Sequence, residues 1–258
     1  MGFEVISKKE LSNLKKFIKT KRALLYLNDD KLLKIFNTKP YLNSYSKNRL
    51  SDIANFQVID CQEKVLMEVS KIKEKEFVIP NNILYKDEVV THNLIGYDME
   101  YLKEYVKLEE FLLNNKLSFN KKIKLSEKLC EIFIGLEKYK ISYWDIHASN
   151  VMTDGNELRV IDIDSVTSKD SSGEFTYRVD LSCSYSNLAS LILSILYDVD
   201  ENYLLQQIKS GKINPLLKKN ELFKSVIEFD GRIFYPNKYL NNFTEEYIEE
   251  TRKLILKK

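Results

Sequence analysis

Tyr143-Trp144-Asp145-Ile146-His147-Ala148-Ser149-Asn150-Val151-Met152, followed by Val160-Ile161-Asp162-Ile163-Asp164-Ser165, is the stretch on which the fold reading turns. Asp145 and Asn150 stand five apart in a polar loop. A hairpin pattern comes next: Val151-Met152, a turn at Asp154-Gly155-Asn156, then Leu158-Arg159-Val160-Ile161. Asp162 ends the second strand of that hairpin, where an apolar strand holds a polar side chain in a fixed position. Two carboxylates and an amide oxygen suit Mg²⁺, a hard cation that takes oxygen ligands and phosphate partners.

Toward the N-terminus the pattern is strand-like. Leu24-Leu25-Tyr26-Leu27, Asn28-Asp29-Asp30 and Lys31-Leu32-Leu33-Lys34-Ile35-Phe36 read as a β-hairpin, with turn-tolerant residues between two apolar runs. Val58 to Ile72 reads as a helix with Cys61, Val65, Val69 and Ile72 on one face. Phe77 to Pro80, Asn82 to Tyr85, and Val89-Val90 through Met99 read as extended. Beyond that the periodicity turns helical: Lys122 to Tyr139, Leu188 to Tyr197, Glu201 to Ile208, Asn220 to Ile227 and Thr244 to Leu256. The expected class is α+β and bilobal. A small antiparallel β lobe with one helix spans 1–100, and a larger, mainly helical lobe spans 101–258, joined near Glu100 to Glu104. A cleft between lobes is the usual seat of a ligand.

Composition sets outer limits. The 258 residues carry 40 Lys+Arg against 38 Asp+Glu, a net charge of +2, which argues against a nucleic-acid partner. With 44% hydrophobic and 30% charged residues, the chain is neither disordered, collagen-like nor a coiled-coil rod. Cys61, Cys130 and Cys183 lie far apart, have no metal-ligand spacing and imply free thiols in a reducing compartment. MGFEVISKKE lacks a signal-peptide core. The apolar run Leu188 to Tyr197, broken by Ser190 and Ser194, falls short of the ~20 residues that span a bilayer. A soluble cytoplasmic protein without a membrane partner is expected.

Together these residues resemble the protein-kinase-like superfamily, whose catalytic loop D-x-x-x-x-N precedes a metal-binding D-F-G. Here the loop reads D-I-H-A-S-N and the second motif D-I-D. The loop histidine is closer to atypical bacterial and small-molecule kinases, where H-G-D-x-H-x-x-N is common. Lys34 resembles the β3 lysine, the helix near Glu63 resembles helix C, and Met99-Glu100-Tyr101-Leu102 resembles the hinge, with Met99 as gatekeeper. Asn187-Leu188-Ala189-Ser190-Leu191 resembles the start of helix F.

The resemblance implies ATP and Mg²⁺ as cofactors. Asp145 would accept or orient the proton of the attacking hydroxyl, while Asn150 and Asp162 would hold Mg²⁺. Lys34 would contact the α/β-phosphates, oriented by Glu63, with Glu68 as the other candidate and Gln62 beside it. The backbone at Glu100 and Leu102 would bond the adenine edge. Asp164 stands in place of glycine, as a further metal-side carboxylate or as a cap for the next turn. His147 orients the loop or contacts a phosphate, His92 being the only other histidine, and Trp144 packs in the core.

Four departures accompany the resemblance. No G-x-G-x-x-G precedes Lys34; the stretch Ile18 to Leu24 has no glycine, leaving Lys21 and Arg22 as phosphate donors. Trp144 replaces the arginine of H-R-D. No A-P-E follows Asp162, and Ser165 to Ser186 is short for a peptide platform. Asn187 stands where helix F usually has aspartate. The expected acceptor is a protein hydroxyl. The alternatives are an aminoglycoside- or choline-type small-molecule kinase and a pseudokinase binding module.

Overall fold

Strands β3 (Ala23–Asn28) and β4 (Lys31–Phe36) form the expected hairpin, with Asp29 turned to a positive φ of 53° at the loop. In the computed structural model, which describes residues 1–20, 23–36, 62–86, 94–211, 220–227 and 233–256, this hairpin is the middle of a larger sheet. The other strands are β1 (Gly2–Ile6), β2 (Lys15–Lys19), β5 (Asn82–Lys86) and β6 (Leu94–Glu100), in the spatial order β1-β5-β6-β4-β3-β2. Every pairing is antiparallel except β1 with β5, which is parallel.

Alternation along β4 decides which side chains meet. Leu33 joins Ile6, Tyr26 and Leu84 in one apolar cluster, with Leu24 and Ile35 packed against it. Leu32 and Lys34 therefore share the opposite face, in register with Met99 and Tyr97 of β6. Gly96 lets β4 and β6 approach here. A Cβ on it would lie 2.0 Å from the Lys34 carbonyl oxygen, a distance no side chain can occupy.

Several expectations change in this part of the chain. Ser7 and Glu10 form a capping box that starts a second helix, Lys8–Asn13; Ser-x-x-Glu is its sequence signal. Of the helix expected over Val58 to Ile72, residues 62–69 are helical and bury Leu66 and Val69, with Ile72 buried just beyond the end. Leu66 rather than Val65 takes the buried face. Phe77 to Pro80 is not a strand, although Phe77 and Val78 are buried. Cys61, Lys21, Arg22, Val89, Val90 and His92 lie outside the described residues.

By its contacts the chain divides into two compact units: Met1–Glu104 with Ile161–Asp164, and Tyr105–Val160 with Ser165–Lys258. The division falls at the end of the expected join. The four residues Ile161–Asp164, expected in the second part, group instead with the first.

The second unit contains two small antiparallel sheets, with strand orders β10-β9-β7 and β11-β8. The strands are β7 (Val106–Lys107), β8 (Ile141–Tyr143), β9 (Val151–Thr153), β10 (Leu158–Val160) and β11 (Val166–Ser168). Asp154 closes the β9–β10 turn by accepting from the backbone N–H groups of Asn156 and Glu157, each at 2.8 Å. The core is the helix Glu174–Tyr197, whose last turns are buried all round. It packs on helices Phe119–Gly135 and Glu221–Ile227. Its serines 184 and 194 return their hydroxyls to carbonyls of the preceding turn, so burial leaves neither unsatisfied.

This long helix starts thirteen residues before Asn187, so Asn187 lies within it and not at its start. It is the one described helix long and apolar enough to cross a membrane by length and composition, and 72% of its apolar window is buried inside the protein. The architecture as a whole mixes mostly antiparallel sheet with helices, compatible with α+β.

Candidate functional site

Two groups of polar side chains gather residues of the opening stretch, one in each unit. In the first unit Lys34 is central. Alternation along β4 puts its side chain over the Tyr97 ring, 5.6 Å from the centroid, and nearly buries it. Its ammonium donates to Asp162 Oδ1 and, at 2.8 Å, to Asp164 Oδ2. The two carboxylates differ in exposure: the Asp162 side chain is 43% exposed and the Asp164 side chain 11%. Asp162 has a φ of 62°, a left-handed conformation that costs energy for a residue with a Cβ. Gln62 Nε2 reaches the Asp164 carbonyl at 3.5 Å.

Burial works against the Lys34 ammonium. Its pKa nevertheless stands above the ordinary value, because Tyr97, Asp164 and Asp162 favour the cation. Burial pushes the Asp164 carboxyl up, with Lys34 opposing and Asp162 adding to the shift.

Glu63 is not a Lys34 partner. Its Oε1 accepts the Tyr85 hydroxyl at 2.7 Å, and Glu68 pairs with Lys71 at 2.6 Å. The lysine-facing carboxylates come instead from the segment after β10. Asp164 does not cap the following turn; its carboxylate is turned to Lys34. Met99 is buried on the Lys34 face of β6, Glu100 ends that strand exposed, and Leu102 is buried beyond it. The Tyr101 N–H donates to the Asp30 carbonyl at 3.0 Å, and the Tyr101 ring meets Phe17 edge-on, which pins this segment to the β3–β4 turn and to β2.

In the second unit the loop after β8 folds on itself. Asn150 is buried, and its Nδ2 donates to the Asp145 carbonyl at 3.0 Å, to Asp145 Oδ2 at 3.2 Å and to the Tyr143 hydroxyl at 3.0 Å. The Asn150 N–H donates to the His147 carbonyl at 3.0 Å. His147 Nε2 lies 3.5 Å from Asp145 Oδ1. The hydrogen bond to Asp145 raises the His147 pKa above its ordinary value against burial, with Asp145, Glu201 and Glu109 adding negative charge.

Glu201 opens the helix Glu201–Lys209. Burial pushes its carboxyl up to about 7, although His147, the Ala148 N–H and Ser190 favour the anion. Trp144 is not core: it is 40% exposed. Tyr143 before it is buried and stacks on Phe133, and Trp144 follows the end of β8, where the chain leaves the sheet. Asn187 donates to the Trp144 carbonyl, so the long helix holds the loop from behind.

The sequence reading missed Tyr97, Gly96 and Glu201. Gly96, one of seven glycines in the chain, stands inside an apolar strand, which is the signal for a close backbone approach. Tyr97 and Glu201 carry no local signal, because their partners are far away in sequence. Cys130 and Cys183 are free thiols, and burial pushes Cys130 up to about 12. Among the described residues, no group of three or more His, Cys, Asp or Glu side chains is gathered as a metal cage.

Chemically, the Lys34 group is a buried cation beside an accessible carboxylate, with net negative charge. The Asp145 group is a carboxylate fixed by an amide and an imidazole. No protein-family model and no curated protein matches this chain.

Proposed function

We propose that this chain is an ATP- and Mg²⁺-dependent phosphotransferase of bilobal protein-kinase-like fold, passing the γ-phosphate to a hydroxyl, foremost that of a protein serine or threonine. The observation that carries the reading is the Lys34 ammonium held by Asp162 and Asp164. Lys34 lies on the third strand of the run β2-β3-β4, and Asp162 follows the hairpin after D-I-H-A-S-N. Phosphoryl transfer calls for this pairing of a lysine for phosphate oxygens with a carboxylate for the metal. The left-handed backbone at Asp162 supports the reading, since such cost persists where a site needs it.

Mg²⁺ fits the donor chemistry. Asp162 and Asn150 offer oxygen atoms, and two carboxylates against one ammonium leave net negative charge at Lys34. A cation that keeps waters and phosphate oxygens needs only one or two protein carboxylates, not a cage of three. When bound, it neutralises phosphate charge.

The remaining roles belong to the chain. Lys34 holds α/β-phosphate oxygens. Asn150 turns its NH₂ to Asp145 and leaves its Oδ1 for the cation. Asp145, fixed by Asn150 and His147, orients the acceptor hydroxyl and takes its proton. The backbone from Glu100 to Leu102 takes the adenine edge beside Met99. Incubation with radiolabelled ATP and Mg²⁺ tests the reading. Label transferred by the wild type and lost in Asp162→Ala supports it, whereas ATP binding without transfer to any acceptor makes the chain a binding module.

One observation favours a small-molecule acceptor as a second reading. β11 and the helices Lys169–Ser172 and Glu174–Tyr197 fill Val166 to Tyr197 with regular structure except at Gly173, which leaves no extended loop for a peptide. Phosphorylation of amino-alcohols or aminoglycosides in preference to protein substrates would select it.

A further inference from the structure

We infer that Asp164 is the residue that positions Lys34 for the nucleotide phosphates, a role the family resemblance gives to a helix carboxylate and not to this aspartate; the inference rests on the phosphotransfer reading. Lys34 and Asp164 are both nearly buried, with side chains 10% and 11% exposed, and their charged atoms are 2.8 Å apart. Asp162, in contact with the same ammonium, is 43% exposed. The two carboxylates therefore have different work. The buried one cannot leave its cation without a large desolvation cost, so its contact persists. The exposed one is accessible to a ligand.

Glu63 is engaged by Tyr85, so that helix residue is not the lysine's partner. The helix touches the pair differently, through Gln62 Nε2 on the Asp164 carbonyl, which holds the short segment that carries Asp164. The Lys34 ammonium has three protons. Asp164 and Asp162 each accept one of them, and the Tyr97 hydroxyl is hydrogen-bonded to the same ammonium. Below them the Tyr97 ring limits where the ammonium can move. On this geometry Asp164 sets the position of Lys34 and does not bind the metal.

The test is equilibrium binding of a fluorescent ATP analogue to the full chain, once in EDTA and once in Mg²⁺. The variants are Asp164→Asn, Asp162→Asn, Lys34→Met and Lys34→Met/Asp164→Asn, each with a thermal melt to establish folding. Asp164→Asn is expected to weaken binding by roughly tenfold or more under both conditions, the cost of removing the carboxylate charge from a nearly buried ion pair. It should add almost nothing in the Lys34→Met background, because both changes act through one ammonium. Asp162→Asn should weaken binding in Mg²⁺ and far less in EDTA.

A loss at Asp164→Asn confined to Mg²⁺, or one that adds fully to Lys34→Met, overturns the positioning role and makes Asp164 a metal ligand or an independent contact. If Asp164→Asn does not fold, the double variant, which buries no unpaired ammonium, decides against Lys34→Met: equal affinity supports the role and a further loss overturns it. A wild-type chain that binds ATP under neither condition sinks the phosphotransfer reading, and the positioning role with it.

Discussion

The Lys34 group and the Asp145 loop use the same materials, carboxylates beside a side chain that carries or can carry positive charge, and assemble them by different routes. Lys34 meets Asp162 and Asp164 across 128 and 130 residues of sequence, in a site where lysine and Asp164 are nearly dry. Asp145 meets Asn150 across five residues and His147 across two, and the Asp145 and His147 side chains remain 27% and 38% exposed. Interactions of like chemistry should therefore differ in worth. A buried ion pair loses several kcal/mol when one partner goes, whereas a partly hydrated loop contact loses about one.

The first way to break this comparison is Lys34→Met. It leaves Asp164 buried without its cation and should cost about 3–5 kcal/mol at neutral pH, measured by urea unfolding. The pH dependence has a definite sign. Burial already raises the Asp164 pKa, and removing Lys34 removes what lowers it. A carboxyl with a raised folded pKa favours folding below its unfolded pKa and loses that contribution as pH rises through the folded pKa. The penalty of Lys34→Met should therefore shrink in acid and be full at neutral pH. A penalty that does not change with pH would count against the buried charge.

Gly96→Ala attacks the same region through shape alone. Its Cβ would meet the Lys34 carbonyl oxygen at 2.0 Å and the Ile35 Cα at 3.0 Å, so β4 and β6 must separate. A loss of roughly 1–3 kcal/mol is expected from denaturation and, on the proposed phosphotransfer reading, weakened binding of an ATP analogue from titration.

Beside the loop, Glu201 supplies the sharpest measurement. Its carboxyl should titrate near pH 7 by carbon-detected NMR, and His147→Ala should move it higher by removing a cation that lowers it. Because this folded pKa exceeds the unfolded one, Glu201 favours folding in acid and loses that contribution between about 4.5 and 7. Glu201→Gln should flatten the stability profile across that window and raise stability above it, by roughly 1–3 kcal/mol.

The smallest effect belongs to Asn187→Ala. It removes one hydrogen bond to the Trp144 carbonyl and should cost about 1 kcal/mol; on the proposed phosphotransfer reading, transfer should fall more than nucleotide binding. An equal fall in both would mean that the loop and the Lys34 group do not act separately.

Local sequence determined much of this protein. The β3–β4 hairpin is written in two apolar runs around Asn28-Asp29-Asp30, and the β9–β10 turn in Asp154-Gly155-Asn156, because turn residues and alternation act over a few positions. The Phe119–Gly135 helix and the buried half of Glu174–Tyr197 follow from apolar spacing. The Asp145–Asn150 contact spans less than two helical turns of sequence, so the motif and its geometry are nearly the same fact.

Other features waited for the tertiary structure. The Ser7–Glu10 capping box was legible but short; β1 and β2 carry too little alternation to stand out. Which carboxylate faces Lys34 depends on register between β4 and β6, on the chain's return after β10, and on Tyr85 engaging Glu63. The raised Glu201 carboxyl depends on helix Glu201–Lys209 bringing its first residue to His147 and Ala148. Residue type decides what a side chain can do. Burial and long-range partners decide what it does, because desolvation and charge act through space, and sequence separation sets no limit on either.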